Sequence, residues 1–272
     1  MEASKIKSLR KLVPIRLSLR AVGTIGLQMA YHAGALAFLL RDTLRVLFGA
    51  PVKWRLTLQQ MHKIGVTSLP LVVLTALFTG MVLSLQSAYQ LRLFAAEQFI
   101  ADLVALSITR ELGPVLTAMV VAGRVGASIA AELGTMKVTE QIDALKALAV
   151  DPIRYLVVPR FLAAFLMLFV LTIYADVIGM LGGYVISVFK LGSSHYQYLS
   201  RSIDALAVKD VITGLVKAFF FGGIIAIVGC HFGFHASGGA EGVGRATTLA
   251  VVTALVLIIA SDALFTAVFY FF

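Results

Sequence analysis

Five long apolar stretches dominate the pattern of hydrophobic and polar positions along the chain. Each is long enough to cross a bilayer, because a helix needs about 20 mostly apolar residues to span roughly 30 Å of hydrocarbon. The first contains no Asp, Glu, Lys or Arg, whereas the others carry a few isolated charges. The pattern predicts an all-α integral membrane protein with about five transmembrane helices, covering residues 64–91, 103–133, 154–189, 211–234 and 246–272.

The amino-acid composition supports a membrane protein and argues against the main soluble classes. The chain has 272 residues, 60% of them hydrophobic and 14% charged, and its mean hydropathy is +0.94. Much of the excess positive charge, +9 overall, lies before residue 64 beside apolar runs. It therefore fits anionic lipid and the positive-inside rule better than nucleic acid, which we do not expect as a partner. The single cysteine, Cys230, excludes an intramolecular disulfide and argues against a cysteine-based metal site.

A further apolar stretch over residues 21–40 is long enough to span a membrane but carries Gln28 and His32. Lysine and arginine residues flank it on both sides, which favours a cytoplasmic position for both flanks. We therefore interpret it as an interfacial or re-entrant helix. Five crossings then put the N-terminus in the cytoplasm and the C-terminus outside, with the basic connection 135–160 on the cytoplasmic side.

Residues 137–150 have the periodicity of a short amphipathic helix in that cytoplasmic connection. Its apolar positions recur every three or four residues, at Val138, Ile142, Leu145 and Ala149. Polar residues stand between them, at Glu140, Gln141, Asp143 and Lys146. Two interpretations remain open: a connector lying on the membrane surface, or a coupling helix that inserts into a groove of a partner ATPase.

Among the charged residues within the predicted spans, where an ionisable side chain is costly unless it is paired or hydrated, three fall at a similar depth. Arg110 and Glu111 belong to the second span and Asp262 to the fifth. At a rise of 1.5 Å per residue, all three fall about 10–15 Å below the outer surface. Either they form structural ion pairs with neighbouring helices, or they line a hydrated lipid-binding cavity in which Arg110 attracts a phosphate. The cavity would have apolar walls on the first span, at Leu77, Phe78, Met81 and Leu85.

No motif for catalysis, metal binding or nucleotide binding is convincing. His231 and His235 have i, i+4 spacing, but Gly233 intervenes and no HExxH glutamate accompanies them. The glycine-rich stretch 238–245 lacks the Gly-Lys-Ser/Thr ending of a phosphate-binding loop, and we interpret it as a tight turn between the fourth and fifth spans. The chain contains no Walker A motif. We therefore expect no cofactor in this chain, and ATP-driven transport would need ATP and Mg bound by a separate ATPase.

Long ordered strings of residues extend from the first span towards the C-terminus. The strongest are Arg110-Glu-Leu-Gly-Pro-Val, Ala122-Gly-Arg-Val-Gly-Ala and Ala131-Glu-Leu-Gly-Thr-Met-Lys-Val-Thr-Glu-Gln-Ile-Asp-Ala-Leu. Together they resemble the MlaE/YrbE permease family, the membrane subunits of ABC systems that work with MCE-domain proteins. The resemblance divides the chain into a basic N-terminal segment with an interfacial helix, 1–62, and an MlaE-like permease domain with the five spans, 63–272.

This resemblance implies a permease subunit in the inner membrane of a bacterium, with ATP hydrolysis on a partner chain. It implies a homodimer bound to two ATPase subunits, with a STAS-domain protein on the cytoplasmic side and MCE-domain subunits in the periplasm. The implied cargo is phospholipid moving between the inner and outer membranes, although related permeases carry sterols or other lipids. It also implies that residues 137–150 form the coupling helix.

Two functions of other classes remain compatible with the residues alone. An ion-coupled secondary transporter or channel for a small amphiphile can also be a charged five-span bundle, and it would need no ATPase. An intramembrane enzyme acting on lipid would turn over its substrate without partners. Its chemical groups would come from His231, His235, Glu241 and Asp262.

Overall fold

The computed structural model describes residues 26–27, 30–49 and 51–271, and regular structure in these ranges is entirely helical. We number the helices in chain order within them. Five are long and apolar enough to cross a membrane: α2 (Trp54–Arg92), α3 (Glu97–Val138), α5 (Ile153–Phe189), α7 (Val208–Phe234) and α8 (Gly239–Phe271). Three are shorter: α1 (30–49), α4 (Gln141–Ala147) and α6 (His195–Asp204). The prediction of an all-α membrane protein with five spans is confirmed.

The five spans are longer than the apolar stretches that predicted them. α2 begins at Trp54 instead of residue 64, and α8 begins at Gly239 instead of residue 246. Hydropathy detects only the part of a helix that fits the hydrocarbon, whereas further turns carry polar residues into the interface. The interpretation of the glycine-rich stretch 238–245 as a tight turn is therefore wrong. Most of it forms the first turns of α8, and the turn itself is confined to 235–238.

Helix α4 is shorter than the amphipathic helix predicted over residues 137–150. It begins only at Gln141, because α3 continues past its predicted end and Glu140 has a left-handed backbone with φ 59°. At the other end, Ala149 has a φ of 56°, which is also outside the α-helical region. Left-handed residues thus bound a helix of only two turns.

Helices α2 and α5 pack with their backbones in contact. A Cβ atom added to Gly80 on α2 would collide with the carbonyl oxygen of Gly179 on α5. Further along the same seam, the hydroxyl groups of Ser84 and Ser187 form a buried hydrogen bond of 2.9 Å. Small residues are typical of such contacts, because helices in a bilayer associate through close packing and interhelical hydrogen bonds.

Helices α5 and α7 form the centre of the bundle, whereas α2 and α8 lie outside it. In the most apolar part of each helix, 61% of α5 and 56% of α7 is buried, against 17% of α2 and 11% of α8. Large apolar side chains such as Phe78 on α2 and Val256 on α8 are exposed. In a membrane such faces contact lipid or another subunit. These two helices therefore present surfaces for lipid or for a second copy of the chain.

Helix α1 lies against α5, α7 and α8. It is joined to the end of α7 by a hydrogen bond of 3.0 Å between His32 Nδ1 and His231 Nε2. Within the described ranges, α1 is not among the helices apolar enough to span a membrane. The interfacial interpretation of residues 21–40 stays a prediction, and 21–25, 28 and 29 lie outside the described residues.

Candidate functional site

The pair Arg110 and Glu111 sits in a π-helical turn of α3, Ile108–Leu112. Single π-turns inside α-helices are frequent at functional sites. Pro114 helps to explain this one, because it has no N–H to donate to the carbonyl of Arg110, its i−4 partner. Lys217 Nζ on α7 donates to that carbonyl instead, at 3.2 Å. The break in the helix therefore creates an acceptor for a side chain of another span.

Lys217 joins three helices through one buried ammonium group. Its side chain is almost fully buried, and Nζ lies 2.6 Å from Glu111 Oε2 and 2.9 Å from Asp262 Oδ1 on α8. Nζ also donates at 2.8 Å to Thr266 Oγ1, and this hydroxyl donates in turn to Glu111 at 3.1 Å. We call Glu111, Lys217, Asp262 and Thr266 the Lys217 cluster.

The Lys217 cluster holds its two acids in different ways. An ammonium group has three N–H donors, and those of Lys217 go to Glu111, Thr266 and the Arg110 carbonyl. Asp262 is therefore held by charge at ion-pair distance, without a directed hydrogen bond. The cluster therefore joins one basic and two acidic side chains from α3, α7 and α8.

Arg110 points away from the Lys217 cluster. Its guanidinium lies 3.5 Å from Asp210 Oδ1 near the beginning of α7, and its side chain is 46% exposed. Asp210 also accepts a hydrogen bond from the backbone N–H of Ala207 through Oδ2, at 3.1 Å. The three charges expected at one depth thus belong to two sets, with Glu111 and Asp262 joined by Lys217 and Arg110 paired separately.

The four apolar positions predicted on the first span do not line one cavity. Phe78 lines an open groove of about 340 Å³ together with Leu112, the residue after Glu111. The backbones of Leu77 and Met81 approach Gly182 of α5. Leu85, four residues after Met81 on α2, is exposed. The groove also includes polar Thr79 and Gln86, together with Val82 and Leu83. A mainly apolar groove therefore reaches the charged turn at Leu112. Of the four apolar residues predicted on the first span, Phe78 is the one that lines it.

The surface around α4 exposes acidic and polar side chains. Glu140 and Gln141 are exposed, whereas Ile142 is buried and Leu145 half-buried. Asp143 accepts hydrogen bonds from Lys137 at 2.9 Å and Lys146 at 3.2 Å. These two ammonium groups hold the pKa of the Asp143 carboxyl below its ordinary value, so it stays ionised. The apolar face anchors α4, and the polar face is free to meet another surface.

A second charged network ties α2, α3 and α5 together at the ends nearest α4. Glu132 accepts from Lys63 at 2.8 Å and lies 3.1 Å from the buried guanidinium of Arg160. Arg124 donates to the hydroxyls of Ser68 and Thr67, at 2.7 Å in each case. These side chains cross-link the three spans, and we assign them no other role.

The pair His231 and His235 lies next to a third histidine, His32, which the sequence spacing did not predict. His32 of α1 approaches His231, whose ring centre lies 4.4 Å from that of His235. Within the described residues, no group of three or more His, Cys, Asp or Glu side chains has an arrangement that could hold a metal ion. The histidines connect α1 to α7.

Comparison with known proteins gives these features a family context. The family model described as Permease MlaE matches residues 57–268. A probable ABC transporter permease protein of Rickettsia typhi is 47% identical over 249 residues, 92% of this chain and 96% of that protein. The protein TRIGALACTOSYLDIACYLGLYCEROL 1, chloroplastic, of Arabidopsis thaliana is 40% identical over 227 residues, 84% of this chain and 65% of that protein.

A third relative is named for its cargo. The intermembrane phospholipid transport system permease protein MlaE of Haemophilus influenzae is 39% identical over 216 residues, 79% of this chain and 83% of that protein. The family model and these relatives all span most of the chain, including the charged turn of α3 and the region of α4. On these grounds the chain belongs to the MlaE permease family.

Proposed function

We propose that this multi-pass permease moves phospholipid between the inner and outer membranes of a bacterium, powered by a separate ABC ATPase. The observation that carries the proposal is the exposed guanidinium of Arg110, two residues before Leu112 in the chain, where Leu112 and Phe78 line an apolar groove. A phospholipid has the matching chemistry, with an anionic phosphate beside apolar acyl chains. The name of the Haemophilus influenzae relative supports the same cargo.

Arg110 is suited to exchange partners. Among the described residues its one ion pair, with Asp210, is long, at 3.5 Å, and nearly half of its side chain is exposed. A phosphate can offer two oxygens to the planar guanidinium, which makes a stronger contact than one distant carboxylate oxygen. Glu111 does not compete for Arg110, because Lys217 holds it at 2.6 Å. Phosphate would therefore displace Asp210 while the acyl chains lie along the groove.

The orientation that we propose puts the N-terminus in the cytoplasm and the C-terminus in the periplasm of an inner-membrane protein. Arg110 then lies in the periplasmic half, where an MCE-domain protein would exchange lipid with it. α4 lies on the cytoplasmic side, where its exposed Glu140 and Gln141 would meet the ATPase that binds ATP and Mg. The exposed faces of α2 and α8 would serve a homodimer, and a STAS-domain protein would complete the cytoplasmic assembly.

Photo-crosslinking in native membranes tests the cargo site. A photoreactive amino acid at Phe78 or Val82, both exposed in the groove, should capture phospholipid strongly, and one at Leu77 or Met81 more weakly because those backbones pack on α5. Ile173 on α5 is a matched control, since it is exposed and apolar but lies outside the groove. Equal capture at Phe78 and Ile173 would mean contact with bulk lipid only and would contradict the proposal.

A charge reversal tests the part played by Arg110. Arg110→Glu should reduce lipid transfer at least tenfold in a reconstituted complex while leaving assembly with the ATPase intact. Arg92→Glu is the control, because Arg92 is also exposed and paired with an acid, Glu97, but lies outside the site. If Arg110→Glu instead prevents folding or assembly, the residue is structural and the cargo assignment fails.

A further inference from the structure

We propose a second lipid site, separate from the groove at Phe78, in the cavity that α1 covers. The occupant is one acyl chain of an anionic phospholipid, with its phosphate held by arginines of α1. We call this space the α1 cavity. It lies between Leu36, Ala37, Leu40 and Leu44 of α1 and the phenylalanines Phe161, Phe165 and Phe220 of α5 and α7.

The size and lining of the α1 cavity fit hydrocarbon. Its volume is about 350 Å³, within the range of roughly 300–1,000 Å³ that ligand sites occupy. Every residue lining it is apolar, including Ile224 on α7 and Leu257 on α8. Walls of this kind offer no hydrogen bonds to water, and an empty space would forfeit dispersion contacts on all sides. A membrane-embedded cavity that is open and apolar therefore favours an acyl chain.

Helix α1, which closes one side of the α1 cavity, is attached to the rest of the bundle. His32, one turn before Leu36, forms the 3.0 Å hydrogen bond to His231 and packs edge-on against its ring. Thr43 is fully buried on the same helix, where its hydroxyl donates to the carbonyl of Leu39. The histidine contact joins the first part of α1 to α7, and the complete burial of Thr43 shows that α1 packs against the bundle further along as well. The cavity is thus a built feature of the bundle.

Basic side chains flank the mouth of the α1 cavity. Ala37 is an exposed member of the lining, and Arg41 and Arg45 continue from it at i+4 and i+8 along the same side of α1. Arg41 is already paired with Asp42, whereas Arg45 has no acidic side chain within 4 Å among the residues described. An exposed arginine above an apolar cavity suits a lipid phosphate, because the guanidinium can bind it through two hydrogen bonds.

A lipid with a photoactivatable acyl chain tests this site in the full-length protein. The protein is reconstituted in vesicles with photoreactive phosphatidylglycerol or phosphatidylcholine, and the labelled peptides are mapped. We expect phosphatidylglycerol to label the segments around Phe165 and Ile224 several-fold more than phosphatidylcholine does. Ala37→Trp fills the cavity and should lower that labelling several-fold without changing the labelling near Phe78. Phe48→Trp, at an exposed position of α1 outside the cavity lining, should change neither.

The charge contribution is tested by Arg41→Gln combined with Arg45→Gln, with Arg92→Gln as the control. The double variant should remove the preference for phosphatidylglycerol, and the control should keep it. Labelling that survives Ala37→Trp would mean bulk lipid contact and would overturn the site. Equal labelling by both lipids in the unsubstituted protein would overturn the headgroup assignment, and no labelling around Phe165 and Ile224 by either lipid would overturn the site. If the unsubstituted protein is labelled around Phe165 and Ile224 but not near Phe78, the result counts against the proposed function and supports the second site.

Discussion

Lys217 on α7 donates a hydrogen bond of 2.6 Å to Glu111 on α3 from a position where the lysine side chain is almost completely buried. An ammonium group in such a place is stable only because acids and backbone oxygens surround it. Asp262 supplies the second negative charge from α8. The Lys217 ammonium thus balances acidic side chains of two other helices, and its removal should destabilise the packing of α3, α7 and α8.

Lys217→Met should destabilise the protein by about 3 kcal/mol, near the lower end of the cost of removing one partner from a buried ion pair. The lower end applies because the Glu111 side chain is partly exposed to solvent. Thermal unfolding in detergent measures the change. Lys209→Met, at an exposed position on the same helix, is the control. Adding Glu111→Gln and Asp262→Asn to Lys217→Met should restore most of the stability. A single variant as stable as the unsubstituted protein would contradict a structural role for the ammonium group.

The sequence predicted the membrane depth of these charges but not their partners. Lys217 is nine residues into α7, or about 13 Å at 1.5 Å per residue, so the same reasoning that aligned Glu111 and Asp262 could have included it. Depth follows from hydropathy and rise per residue. The direction in which each side chain points does not, because it depends on how the helices rotate and pack. Only the packed structure separates Arg110 from the Lys217 cluster.

The start of α2, the π-turn within α3 and the contact of α1 with α7 are three further features that the sequence did not predict. Apolar runs locate the hydrocarbon-embedded part of each helix, but the first turns of α2 are polar enough to escape detection. The π-turn at Ile108–Leu112 is invisible to periodicity, since one added residue shifts the pattern only locally. Contacts between α1 and α7 are invisible too, because His32 and His231 are 199 residues apart.

Gly80→Ala should destabilise the seam between α2 and α5. The added methyl group would meet the carbonyl oxygen of Gly179, and a backbone atom cannot move aside as a flexible side chain can. We expect a loss of about 1–3 kcal/mol, the usual cost of overpacking, measured as a lower melting temperature in detergent. Gly123→Ala is the matched control, because nothing lies within 4 Å of the added atom. Equal stability of the two variants would contradict backbone contact at Gly80.

The topology can be tested with single cysteines in intact cells. Cys230 is buried, and Cys230→Ser gives a cysteine-free background. In the orientation that we propose, a membrane-impermeant maleimide should label Tyr196→Cys on α6 but not Glu241→Cys at the beginning of α8. Both positions are highly exposed, so access to the probe depends on the side of the membrane. Permeabilised cells, in which both should react, provide the control. Labelling of Glu241→Cys alone in intact cells would reverse the orientation.

Coupling to the ATPase can be tested at α4 by reversing charges on its exposed face. Glu140→Lys combined with Asp143→Lys should leave the permease inserted, because neither side chain is buried. It should weaken docking, since like charges facing each other at an interface can cost several kcal/mol.

Asp143 also bonds to Lys137 and Lys146, so the double reversal gathers four lysines within residues 137–146 and could disturb α4 itself. Asp143→Asn separates these effects, because it removes the charge while keeping a side chain of the same size. Glu241→Lys, an exposed reversal at the start of α8, controls for a general change in surface charge.

The measurements are ATPase activity and lipid transfer in the reconstituted complex, with circular dichroism to monitor helix content. We expect the double reversal to reduce lipid transfer at least tenfold with little change in helix content, Asp143→Asn to have a smaller effect, and Glu241→Lys to have none. Full lipid transfer by the double reversal would leave α4 as a connector on the membrane surface. Its short length and its left-handed flanking residues would then serve only to join α3 to α5.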